Sequence, residues 1–100
     1  PGRTGYARAV DLVPYISGKP RWDWNGCCLL AIAMRSAAFD ARVSLRWGGA
    51  WDTLLHNAED DEDSTPPLEL AERYAERRRA AGRRVFLDGP HFELLREEFP

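Results

Sequence analysis

The feature that most constrains this chain is an unbroken apolar run from Cys27 to Met34, continued by Ala37 to Phe39, in only 100 residues. Asp23 stands just ahead of it, a residue suited to accept hydrogen bonds from the free amides of a helix N-terminus. A helix that is apolar on every side has no face for water. Residues 24–39 are therefore expected to form a buried core helix, with Leu29, Ile32, Ala33 and Met34 inside. The length suits one domain rather than two, with a small margin of stability.

The segments around this helix read as short strands and one further helix. Residues 9–16, AVDLVPYI, are apolar and β-branched and predict a short buried strand ending near Pro14. Ser17 to Pro20 is a turn. In residues 42–47, RVSLRW, polar and apolar positions alternate, so Val43, Leu45 and Trp47 share one face of a half-buried strand. Gly48 and Gly49 end it. His56 to Thr65 is polar and acidic, a surface loop. Thr65 can cap a second helix with Pro66 at its first position and Gly82 at its stop. Leu68, Ala71, Tyr74 and Ala75 form its apolar stripe. Residues 84–87, RVFL, predict a strand running into Asp88-Gly89-Pro90-His91, and residues 91–95 a returning one. This order predicts an α+β domain with a small, largely antiparallel sheet packed with helices.

Charge and cysteine usage exclude several classes. A net charge of -2 lacks the basic excess expected of a nucleic-acid binder. The acidic run Glu59 to Asp63 and the cluster Arg77, Arg78, Arg79, Arg83 and Arg84 read as solvated surface. Cys27 and Cys28 are adjacent, a spacing that suits neither a zinc knuckle nor a CxxC redox pair. They read as small apolar residues of a reduced protein. No stretch is long enough to span a bilayer, and Pro1 to Arg8 has no apolar core of a secretory signal. A target outside the cytoplasm would call for another route of delivery.

Chemistry concentrates in Asp88-Gly89-Pro90-His91-Phe92-Glu93. Gly-Pro signals a tight bend, which would set Asp88 and His91 at one cavity. Along a strand His91 and Glu93 face the same way. Imidazole is a common zinc ligand, and a neighbouring carboxylate can act as a base. Alone, a histidine near a turn is more often a surface or hydrogen-bonded structural residue than a ligand. Asp11 is a carboxylate inside an apolar strand, costly to bury unless it is paired or ligates a metal. Arg46-Trp47-Gly48-Gly49-Ala50-Trp51-Asp52 sets two tryptophans around a glycine pair. Trp47 and Trp51 either wall a substrate groove or pack at a strand end.

Taken in order, AVDLVPY, WDW, AMRSAA, RWGGAW and FLDGPHFEL resemble the zinc peptidases that include D-alanyl-D-alanine carboxypeptidases and phage L-alanyl-D-glutamate endolysins. The resemblance runs from about Ala9 to Leu94. It implies the Hedgehog and DD-peptidase fold, one zinc ion, and a bacterial cell-wall substrate, the peptide stem of peptidoglycan, in an enzyme that can be phage-encoded. By this resemblance Asp11 and His91 are zinc ligands, Asp88 is the general base and acid, and Trp47, Trp51 and Glu93 border the substrate. The family's other ligand is a His in the pattern SxHxxGxxxD, seven residues before the Asp. Thr4 holds that position here. The only other histidine, His56, matches no ligand position, and the family's N-terminal helical region has no counterpart among these residues. Two expectations follow. The chain is a zinc-dependent peptidoglycan peptidase, or it is a degenerate domain of the same fold serving as a phage structural or wall-binding component.

Overall fold

The structure is a computed structural model, and it describes residues 8–60 and 64–95. The described elements are β1 (Ala9–Asp11), β2 (Tyr15–Ile16), β3 (Lys19–Pro20), α1 (Trp24–Ala41), β4 (Leu45–Gly48), β5 (Leu54–His56), α2 (Pro67–Ala80) and β6 (Asp88–Leu94). The main sheet runs β1-β6-β4-β5, and each neighbouring pair is antiparallel. β2 and β3 form a separate hairpin. Ser17 and Gly18 turn it at φ 54° and 77°, the left-handed pair that suits a two-residue turn. The class is α+β with a largely antiparallel sheet, as the order of elements predicts.

Asp23 caps α1, its Oδ2 accepting from the Gly26 amide at 3.3 Å. Arg21 grips the same carboxylate through Nε at 2.7 Å and Nη2 at 2.8 Å. That guanidinium holds the Asp23 carboxyl at about 2. At the other end Arg42 adopts left-handed φ 58° and its amide donates to the Ala38 and Phe39 carbonyls.

The expectation that α1 is buried on all sides is corrected. Gly26, Cys27, Ala31 and Ala38 form its buried side. Leu29, Ile32 and Phe39 are 56%, 53% and 51% exposed, Ala33 is exposed and Met34 is half-buried. The reason is the layering: α1 rests on β4, β5, β6 and α2, which cover one side only. Small residues occupy that side because they let the helix approach the large rings of Trp47 and Phe92 in the same core cluster. Trp24 of α1 stacks on Trp47 with ring centroids 5.6 Å apart.

Other boundaries differ for identifiable reasons. α2 begins at Pro67, not Pro66, with Pro66 at φ -58° and ψ 143° as its boundary. A residue that precedes proline is driven out of the helical region, so the second of two prolines takes the first helical position. Leu70 joins Ala71, Tyr74 and Ala75 on the buried stripe, while Leu68 is exposed. His56, read as the first residue of a surface loop, instead ends β5, which pairs with β4. His56 is buried there, and its Nδ1 donates to the Val43 carbonyl at 2.8 Å. β1 is an exposed edge strand rather than a buried one. Residues 84–87 form no strand, and Asp88–Leu94 is one strand rather than a turn and a return.

If α1 has one buried side, core and solvent positions must respond in opposite ways. Ala31→Leu should destabilise the fold by about 1–3 kcal/mol through overpacking. Leu29→Ala should cost less than about 1 kcal/mol, near the range of surface changes. Denaturant unfolding of both variants checks this ordering.

Candidate metal centre

β6 is the central element because it pairs with β1 on one side and β4 on the other. Its pairing with β4 is irregular. Trp47 lies opposite Phe92, but the next residue, Gly48, lies opposite Asp88. Gly89, Pro90 and His91 are therefore extra residues bulged out of the ladder, a device that re-aims side chains. The bulge accounts for a proline in a central strand, since no N–H is asked of it toward β4. The Pro90 carbonyl accepts from the Leu12 amide at 2.8 Å. The Gly89 carbonyl accepts from Trp47 Nε1 at 2.7 Å, a buried bond.

Glycines make this close approach feasible. A Cβ at Gly48 would collide with the Asp88 carbonyl, and one at Gly89 would stand 2.7 Å from Cys27 Cβ. Cys27 thus lies beneath the bulge. Burial first, then the charges of Asp23 and Asp88, push its thiol above the usual range. Both cysteines are free.

The register sets Asp11 of β1 opposite His91 of β6. Although 80 positions apart, they meet directly: His91 Nδ1 donates to Asp11 Oδ1 at 2.9 Å. The bulge brings Asp88 to the same place, and one potential ligand atom from each of Asp11, Asp88 and His91 lies within 4.8 Å of the others. The side chains of His91 and Asp11 are 22% and 70% exposed, so the cluster opens to solvent on the Asp11 side. The notion of a buried Asp11 is corrected accordingly: it ends an edge strand. Glu93 follows on the same sheet face, its Oε1 3.8 Å from His91 Nε2, beyond hydrogen-bonding distance.

Trp51 stands beside the cluster, its ring centroid 5.2 Å from that of His91. On another side it stacks on Phe86 at 6.2 Å. The turn carrying it is anchored by Asp52, which accepts from Arg77 Nε at 2.7 Å and Nη2 at 2.6 Å. That hydrogen-bonded guanidinium holds the Asp52 carboxyl below its ordinary value. Trp47 is corrected as a substrate contact. It has no solvent exposure and instead ties the bulge to the core. Thr4 lies outside the described residues.

Two neighbours were missed in the sequence. Phe86 is one, hidden in a segment read as strand. Arg46 is the other, and strand alternation could have found it. Leu45 and Trp47 point to the helices, so Arg46 points the other way, onto the face of His91 and Glu93.

The donor set suits a transition-metal ion. It offers one imidazole nitrogen and carboxylate oxygens, and two of these atoms are already 2.9 Å apart. Each would need to stand ~2 Å from a single ion, which sets tetrahedral ligand atoms ~3.3 Å apart, so a pair at the 4.8 Å limit would have to draw together by more than an ångström. Among the described residues this is the group of three acidic, His or Cys side chains with metal-holding geometry. No described helix is long and apolar enough to cross a membrane. Compared with family models, curated proteins and solved structures, the chain matches none of them.

The dependence of this site on the bulge is testable. Gly48→Ala should destabilise the fold by at least about 1–3 kcal/mol, as overpacking does, because the obstacle is backbone. It should also shift the His91 ring resonances in a proton–nitrogen spectrum. Loss of stability without any change at His91 would separate the bulge from the site.

Proposed function

We propose that Asp11, Asp88 and His91 form a zinc centre and that the chain is a peptidase acting on an amide of the peptidoglycan peptide stem. The observation that carries the proposal is the convergence of these three side chains from opposite ends of the chain. The ordered motifs from AVDLVPY to FLDGPHFEL support the same reading. Asp11 and His91 would hold the ion. When bound, zinc supplies Lewis acidity that polarises a scissile carbonyl and makes water more acidic.

The remaining work falls to the protein's own groups. Asp88 would take a proton from the attacking water on a carboxylate oxygen and return it to the leaving nitrogen. Trp51, held by the Asp52–Arg77 pair and Phe86, would wall the groove beside His91 and restrict water there. Glu93, on the face of His91, would border the bound peptide.

A second reading is a domain of this fold that has lost its metal and serves as a phage structural or wall-binding component. The direct bond between His91 Nδ1 and Asp11 Oδ1 favours it, since each group satisfies the other without an ion. The position of Thr4, where the resembled family has its further histidine, points the same way.

Zinc titration against a chelator, with hydrolysis of purified peptidoglycan in parallel, separates the readings. The unmodified chain should bind one zinc weakly and turn over slowly, because few protein ligands serve the ion. His91→Ala should abolish binding. Asp88→Asn should retain zinc and lose turnover. Thr4→His should raise both affinity and turnover. Tight zinc that Asp88→Asn releases would make Asp88 a ligand. Absence of zinc binding in both the unmodified and Thr4→His chains would leave the structural reading.

A further inference from the structure

Three charged side chains of α2 differ from the rest. Glu69 pairs with Arg73 at 2.7 Å, Arg77 with Asp52 at 2.6 Å, and Arg78 Nε donates to the Arg84 carbonyl at 2.9 Å. Among the described residues, the side chains of Glu72, Glu76 and Arg79 have no hydrogen bond or ion pair. Glu76 and Arg79 are spaced as a helical ion pair would be, yet none joins them. Glu72 and Glu76 lie one turn apart, and like charges in that arrangement weaken a helix.

All three border one cleft of about 340 Å³, formed by α2, the start of α1 and the chain just before β6. Its apolar lining is Trp24, Ala71, Ala75 and Leu87. Ala71 and Ala75 are buried and supply a floor of short side chains. Trp24 is held in place by its stack on Trp47. Leu87 is 42% exposed, an apolar wall that folding leaves in water. None of Asp11, Asp88 and His91 lines this cleft.

The charges follow an order along it. The two carboxylates come first on α2 and the guanidinium lies toward the C-terminal end. From midway between Glu72 and Glu76 to Arg79 the helix axis advances roughly 7.5 Å, at ~1.5 Å per residue. An occupant that complements this order has an ammonium, an apolar stem and a carboxylate at about that separation. An extended lysine with a free α-carboxylate holds its two charges roughly 7.5 Å apart, given bonds of ~1.5 Å.

We infer that this cleft binds the C-terminal lysine residue of a peptide. The ammonium lies between Glu72 and Glu76, and relieves their repulsion. The methylenes cover Leu87, Trp24 and Ala75, as lysine stems do on apolar surface. The carboxylate meets the fork of Arg79. A free lysine fits less well, because its α-ammonium would stand beside that guanidinium. The inference rests on neither the metal nor the peptidase reading.

The test uses the whole chain and the backbone amide resonances of residues 71–79 and 87. The probe is Nα-acetyl-L-lysine, which stands for the peptide end. It is compared with its carboxamide, with its Nε-acetylated form and with free L-lysine. Nα-acetyl-L-lysine should bind and shift these resonances. Each of the other three should bind at least about threefold more weakly, the scale of an exposed ion pair. Joint Glu72→Gln and Glu76→Gln substitution should erase the preference over the Nε-acetylated form and keep the preference over the carboxamide. Arg79→Gln should do the reverse. Glu69→Gln, on the same helix outside the cleft, should change neither.

This crossed pattern is one that general destabilisation cannot produce. The site is overturned if Nα-acetyl-L-lysine does not bind, if it shifts resonances elsewhere instead, or if its neutralised forms bind equally well. Preferences that survive the matching substitutions overturn it too. Tighter binding of free lysine than of Nα-acetyl-L-lysine would overturn the assignment to a peptide end.

Discussion

The arrangement depends on one irregularity, the bulge of Gly89, Pro90 and His91 out of the β4–β6 ladder. A regular strand there would carry Asp88 past Gly48 and away from His91. The bulge is held from the core side by a buried bond, Trp47 Nε1 to the Gly89 carbonyl. It is permitted by two glycines, Gly48 and Gly89, at points where a Cβ would meet backbone or the Cys27 side chain. Trp47 is in turn fixed by its stack on Trp24 and its place in the core cluster. Core packing and site geometry therefore share the same residues. A change that loosens Trp47 acts on Asp88 without touching it.

The two faces of the sheet divide the labour. Leu45, Trp47 and Phe92 face α1 and exclude water. Asp11, His91 and Glu93 occupy the other face, where charge can remain hydrated. This separation lets a chain with a modest core carry several ionisable groups close together without the desolvation that full burial would impose. Trp51 and Phe86 add an apolar wall on the same side, and α2 contributes through Arg77, whose grip on Asp52 anchors the turn that bears Trp51.

Much of this was legible in the sequence. The cap at Asp23, the span of the main helix and the alternation through Leu45 and Trp47 follow from local chemistry. Asp11, Asp88 and His91 stood out as residue types in unusual settings, and they do converge. What was not legible depended on the third dimension. Which side of α1 is covered depends on how few layers surround it, and hydropathy alone made Leu29 and Ile32 look internal. Gly-Pro reads locally as a reversal, but pairing on both edges of β6 turns it into a bulge. Trp47 and Trp51 look equivalent in sequence. Strand parity sends the first into the core, and the turn after Gly49 sends the second toward His91. β5 was missed because its few residues gain their partners only from β4.

The most direct test of the central claim is X-ray absorption at the zinc edge of the loaded chain. Coordination by Asp11, His91 and their surroundings predicts a shell of nitrogen and oxygen only, at ~2.0–2.2 Å, with the outer-shell signature of one imidazole. That signature should vanish in His91→Ala. A sulfur shell at ~2.3 Å would instead place the ion on Cys27 or Cys28. That result would contradict the assignment of the metal to the open face of the sheet.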